Sequence, residues 1–152
     1  MIYLDNAATT FTKPRQVYEA VVDAMVKNGV NAGRGGYDAA VRANELLFET
    51  KERLAALFHI ENPERIAFAY NTTHALNMGI KGVLSYGDHV IITSMEHNSV
   101  LRPVKECELH KRISYTVLRA NDKGEIDMNS LEKAIRPNTK LICMTHSSNV
   151  CG

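Results

Sequence analysis

Three short polar clusters carry the side chains best suited to chemistry. Asn71-Thr72-Thr73-His74 follows an apolar run and opens a helical pattern. Ser94-Met95-Glu96-His97-Asn98-Ser99 does the same after His89–Thr93, and His146-Ser147-Ser148-Asn149 follows Lys140–Thr145. Two hydroxyls beside the free N–H groups of a starting helix make an anion site, which the helix dipole favours further. Thr72 or Thr73 acting simply as an N-cap explains the same residues, and on their own this is the commoner use. His97 is a candidate functional histidine in front of a helix that Ser99 can cap, although a lone loop histidine is more often solvated or capping. Asn149 can hydrogen-bond a ligand or close a turn. What joins the three is position: in an open α/β sheet, ligands bind beyond the carboxyl ends of the strands.

The elements that must position these clusters follow from spacing. Residues 14–28 place Val17, Val21, Ala24 and Met25 on one helical stripe, with Pro14 in the first turn and Asn28-Gly29 at the end. A glycine-rich loop, residues 31–36, leads to a second helix over 38–58, with Ala40, Ala43, Leu47, Leu54, Leu57 and Phe58 at helical spacing. Beyond residue 65 short apolar runs alternate with helices. The runs are Ile66–Tyr70, His89–Thr93, Ser114–Leu118 and Lys140–Thr145; the helices are 73–82, 99–111 and 128–136. The last begins at Asp127 as N-cap, with Ile126 and Leu131 spaced as a hydrophobic staple. Strands apolar on both faces, separated by helices, predict a mainly parallel sheet in a three-layer α/β/α arrangement, with 140–146, 89–93 and 114–118 as adjacent parallel strands. Asn149-Val150-Cys151-Gly152 follows directly on a strand where such a layer expects a helix, which reads as a truncation. The organisation expected is an N-terminal segment, 1–13, and part of a larger domain, 14–152.

Composition excludes several classes of function. The 152 residues are 45% hydrophobic with a net charge of +1, as in a soluble globular domain rather than a disordered or fibrous chain. Lysines and arginines form no run, so nucleic acid is not the expected partner. Apolar stretches are a few residues long, and the N-terminus lacks a secretory pattern; no membrane partner is expected and the cytoplasm is the default. Cys107, Cys143 and Cys151 are too scattered for a disulfide framework. The loop Gly33-Arg34-Gly35-Gly36 matches neither a dinucleotide nor a P-loop fingerprint, and neither H-E-x-x-H nor C-x-x-C occurs to support a metal site. Cys143 reads as a small core residue, and His59, His74, His89 and His110 read as surface residues.

Four segments taken together resemble the class V aminotransferase family, nearest its cysteine desulfurase and selenocysteine lyase branch. They are Tyr3-Leu4-Asp5-Asn6-Ala7-Ala8-Thr9-Thr10, Asn71-Thr72-Thr73-His74-Ala75-Leu76-Asn77, Glu96-His97-Asn98-Ser99, and His146-Ser147-Ser148-Asn149-Val150-Cys151-Gly152. They occur in family order and at family spacing over the whole chain. The resemblance implies the aspartate aminotransferase-like fold (fold type I) of pyridoxal 5′-phosphate enzymes, here the N-terminal portion of the large domain. It implies that Thr72 and Thr73 hold the cofactor phosphate, that His97 stacks on the pyridine ring and handles protons, and that Asn149 hydrogen-bonds the 3′-oxygen. By the same resemblance Ile66–Tyr70 belongs to the sheet but is separated from the other three strands by strands that come later in the sequence.

The expected reaction removes sulfur or selenium from cysteine or selenocysteine and leaves alanine, in a homodimer that takes a small amino acid and passes sulfur to an acceptor protein. The family's Schiff-base lysine, pyridinium aspartate and nucleophilic cysteine all lie beyond position 152, so these residues alone are expected to be inactive. Thr73-His74 stands where a Thr-Glu pair is common in the family. Transamination or another class V elimination is the alternative chemistry, and a non-catalytic split or degenerate paralogue is the alternative of a different kind.

Overall fold

A computed structural model describes residues 2–6, 9–148 and 150. Asn149 and Cys151 lie outside the described residues. The chain divides into two compact units, Met1–Ala67 and Phe68–Gly152.

The first unit holds α1 (Arg15–Lys27), α2 (Asp38–Phe58) and a 3₁₀ turn at Pro63–Arg65. α1 starts after Pro14 and ends at Asn28, whose N–H donates to Ala24 O at 3.0 Å. Gly29 is required there: a Cβ would sit 2.6 Å from Met25 O. α1 buries none of its residues, so the stripe of Val17, Val21 and Met25 lies on the surface. α2 buries Ala40, Ala43 and Ala55 and ends at His59 in the left-handed region, φ 55°.

The second unit is built on three parallel strands, β1 (His89–Thr93), β2 (Ser114–Leu118) and β3 (Thr139–Cys143), in the order β2-β1-β3. The predicted trio of adjacent strands is therefore present. β1 is buried along its full length, as its run of residues apolar on both faces requires. Ile66–Tyr70 is not a strand: it has no ladder partner among the described residues, and both edges of β1 are already taken.

Helices cover both faces. On one, α3 (Thr72–Val83) and α4 (Asn98–Lys111) pack Ile80, Leu84, Val100, Val104 and Cys107 against Val90 and Ile92, with Tyr115, Leu141 and Cys143 from the flanking strands. On the other, α5 (Met128–Ala134) brings Leu131 onto Ile91 and Leu118, and Ile126 joins it as the staple predicts. The chain moves from β1 to β2 by way of α4, then back past β1 to β3 by way of α5. Direction and face both reverse, so the two crossovers share one hand, as parallel connections do. Lys81 Nζ donates to Glu106 Oε2 at 2.7 Å, and Lys111 Nζ donates to Lys81 O and Leu84 O at 2.6 and 2.7 Å. These bonds join the C-terminal halves of α3 and α4, so the two helices run side by side in one direction. α4 returns from the carboxyl edge of the sheet to its amino edge. α3 must therefore also start at the carboxyl edge.

His89 corrects a sequence expectation. It is fully buried, not on the surface, with Nδ1 2.8 Å from Thr139 Oγ1 and Nε2 2.8 Å from Thr116 Oγ1. Arg136 closes the ring: its backbone N–H donates to Thr139 Oγ1 at 2.7 Å and its Nη2 to Thr116 Oγ1 at 3.2 Å. One imidazole thus ties all three strands together. Burial, and after it the Arg136 charge, push its pKa below the usual histidine value.

Candidate functional site

The carboxyl edge of the sheet is where the three polar clusters meet the fold. α3 begins there with Asn71, not a threonine, as N-cap; Asn71 Oδ1 accepts from His74 N at 2.9 Å. Thr72 and Thr73 are thereby released from capping. They are exposed, and their N–H groups precede the intrahelical ladder. His74 Nδ1 accepts from Tyr70 N at 3.4 Å, and the two rings stack with centroids 5.4 Å apart.

α4 is capped by His97 rather than Ser99. The Nδ1 of His97 accepts from Ser99 N at 3.1 Å and lies 2.9 Å from Ser99 Oγ. An acceptor nitrogen carries no proton, so the neutral ring holds its hydrogen on Nε2. His97 is exposed and Ser99 is buried beneath it. The cap thus orients the ring and fixes its tautomer at once. Pro103 is the sixth residue of α4, because the helix starts at Asn98; it lies past the free N–H groups of the first turn, so one bond of the helical ladder, to Ser99 O, is missing.

Glu96 is the residue that sequence reasoning passed over except as one letter of a motif. Its Oε1 accepts from Thr93 Oγ1 at 2.6 Å and from Thr145 N at 2.8 Å; its Oε2 accepts from Thr145 Oγ1 at 2.8 Å. The carboxylate bridges the exits of β1 and β3. Ser94 makes the matching link to β2: its N–H donates to Leu118 O at 2.8 Å, and its Oγ accepts from Ala120 N at 3.0 Å.

A cleft of about 470 Å³ opens between these three exits, lined by Thr93, Met95, the turn Asn121–Gly124 and Thr145 among others. The turn is held by Asn121, whose Oδ1 accepts from Lys123 N and Glu125 N, both at 2.9 Å, and by Gly124 at φ 80°. β1 sends its helix to one face of the sheet and β2 to the other, so the cleft lies where connections diverge, the usual ligand position in such sheets. Thr72, Thr73 and His97 share the edge but do not line this cleft.

Cys143 closes β3 and is half-buried, packed against the core cluster. Burial pushes its thiol pKa up, and the Glu96 charge adds to that. Cys143 is therefore expected to alkylate more slowly than a free thiol at mildly alkaline pH. Glu96→Gln should speed it only in part, because burial is the larger cause. Iodoacetamide labelling of the two proteins across a pH series, read by peptide mass, checks this. Equal rates would show that the carboxylate does not reach the sulfur.

Relatives bear on what the edge can hold. A probable cysteine desulfurase of Methanothermobacter thermautotrophicus is 33% identical over 153 residues, covering 99% of this chain and 37% of that protein. The apo structure of the cysteine desulfurase from Thermococcus onnurineus superposes with a TM-score of 0.86 at 29% identity, covering 97% of this chain and 37% of that one. The structure of SspA in complex with cysteine superposes with a TM-score of 0.85 at 28% identity, covering 97% and 42%. The chain thus spans a little over a third of the length of the curated relatives it matches. The fold is that of a part of the large domain of such enzymes, as the sequence predicts. The model of the aminotransferase class-V family matches residues 2–152, and the chain belongs to that family.

Proposed function

We propose that residues 14–152 form part of the cofactor-binding large domain of a pyridoxal 5′-phosphate-dependent cysteine desulfurase, which removes sulfur from cysteine and leaves alanine. The observation that carries the reading is the shared start of α3 and α4 at the carboxyl edge, with Thr72-Thr73 at one helix and His97 at the other. The similarity to cysteine desulfurases and to a cysteine-bound relative supports the substrate.

The donor set suits the cofactor. Thr72 and Thr73 offer two hydroxyls and two N–H groups to a phosphate at a helix start. His97 offers an exposed ring face for stacking and an Nε2 hydrogen that its cap leaves free to donate. Asn149 is assigned to the 3′-oxygen by the resemblance alone. When bound, the cofactor supplies an electron sink. The chain's own work is to hold the phosphate, orient the ring and keep a proton at His97 Nε2. By the same resemblance, the protein is a homodimer that passes sulfur to an acceptor protein; the cytoplasm is its default compartment from the few, scattered cysteines.

The test is pyridoxal phosphate and cysteine added to the protein at its natural length, following cofactor absorbance, sulfide and alanine. Sulfide with alanine supports the reading; an exchanged amino group with no sulfide favours transamination instead. His97→Ala should weaken cofactor binding by roughly fivefold, since a stacked ring is worth on the order of 1 kcal/mol. Residues 1–152 alone are expected to release no sulfide above the free-cofactor rate.

A further inference from the structure

We propose that Glu96 is a positioning residue, a strap that sets the distance between the loop carrying His97 and the loop that begins at Thr145. The inference rests on the functional reading above, because it assumes that these loops hold the cofactor.

Glu96 and Thr145 are 49 residues apart in sequence, yet one carboxylate receives both the backbone N–H and the hydroxyl of Thr145 as well as the hydroxyl of Thr93. Three donors converge on one side chain, two at Oε1 and one at Oε2. The strand ladders end at Thr93 on β1 and at Cys143 on β3. Beyond that point the two exits diverge unless something joins them. Ser94 already anchors the β1 exit to the β2 side. Glu96 anchors it to the β3 side, so the backbone entering His97 is held from both directions. Met95 N donates to Thr93 Oγ1 at 3.2 Å, which fixes the bend between them. Among the described residues, His97 itself is pinned only to its own helix, through Ser99. Its place relative to β3 therefore depends on the residue before it.

Chain length at position 96 decides the geometry. Glutamine has the same reach: its Oε1 can keep two donors while its amide nitrogen donates to Thr145 Oγ1, which turns its hydrogen away. Aspartate keeps the charge but falls one methylene short. The experiment compares Glu96→Ala, Glu96→Asp and Glu96→Gln in the protein at its natural length. It measures pyridoxal phosphate affinity by titration and protection of the Thr145 amide by hydrogen exchange.

Glu96→Ala and Glu96→Asp should each weaken affinity by about tenfold, the equivalent of one lost hydrogen bond to a charged group, and unprotect the Thr145 amide. Glu96→Gln should stay near wild type in both. If Glu96→Ala does not fold, Glu96→Asp gives the same reading. Full cofactor affinity with an unprotected Thr145 amide overturns the positioning role, as does Glu96→Asp matching wild type while Glu96→Gln does not. Wild-type protein that binds no pyridoxal phosphate overturns the functional reading and this inference together, and that result is distinct from the others.

Discussion

His89→Ala is expected to destabilise the sheet unit by about 2–4 kcal/mol, from the cavity it leaves and from the hydroxyls of Thr116 and Thr139 losing a partner inside the protein. The imidazole is fully buried between them, and Arg136 serves each of those hydroxyls only once. The same residue should make wild-type stability depend on pH. Its pKa in the folded state is lowered from 6.5, so between that lowered value and 6.5 the unfolded chain binds a proton that the folded chain refuses. This contribution is complete above 6.5 and is lost as pH falls toward the folded value. Urea unfolding at about pH 7.5 and about pH 5.5 should show a drop in wild type that shrinks in His89→Ala. An equal drop in both proteins would place the acid sensitivity elsewhere.

Ile92→Ala should cost about 2–5 kcal/mol, the range for removing most of a buried side chain from a packed core. Ile92 is 1% exposed and belongs to the cluster with Leu84, Val90 and Val104 beneath α3 and α4. Ile142, on the opposite face of the sheet, is 42% exposed. Ile142→Ala should cost about 1 kcal/mol or less, because little transfer energy is lost and water fills the gap. Urea midpoints for the two variants give the comparison directly. Equal costs would mean that the face carrying Ile142 is covered in the protein at its natural length.

What was legible in the sequence was what local chemistry decides. α2 starts and stops at the residues that spacing predicts, 38 and 58. Asp127 caps α5, with its carboxylate accepting from Asn129 N and Ser130 N. The β trio and its parallel sense follow from runs apolar on both faces. Two caps were misassigned because Asn71 and His97 compete with neighbouring Thr72 and Ser99 for the same role, and backbone angles decide between them. His89 carried a signal that was misread. It heads a run apolar on both faces, so the burial expected of that strand applied to it too. Glu96 was illegible for another reason. Thr93 lies within reach along the chain, but Thr145 comes near only once β3 is laid beside β1. Ile66–Tyr70 is apolar enough for a strand and has no ladder partner among the described residues; the resemblance places it beside later strands rather than beside β1, β2 or β3.

The strand order has a consequence for how this unit assembles. The central strand, β1, is the first of the three to be synthesised, and its neighbours arrive afterwards on either side. A ribosome therefore releases the template before either of the strands that must pair with it. α3, β1 and α4 are contiguous in sequence and share one apolar cluster, so they can condense through short loops with little closure entropy. β2 then needs only the return through α4. β3 comes last, after a crossover past β1, and the contacts between its exit and Glu96 close a loop of 49 residues. The most local part of the unit should gain protection earliest in refolding, and the Thr93–Glu96–Thr145 bridge latest.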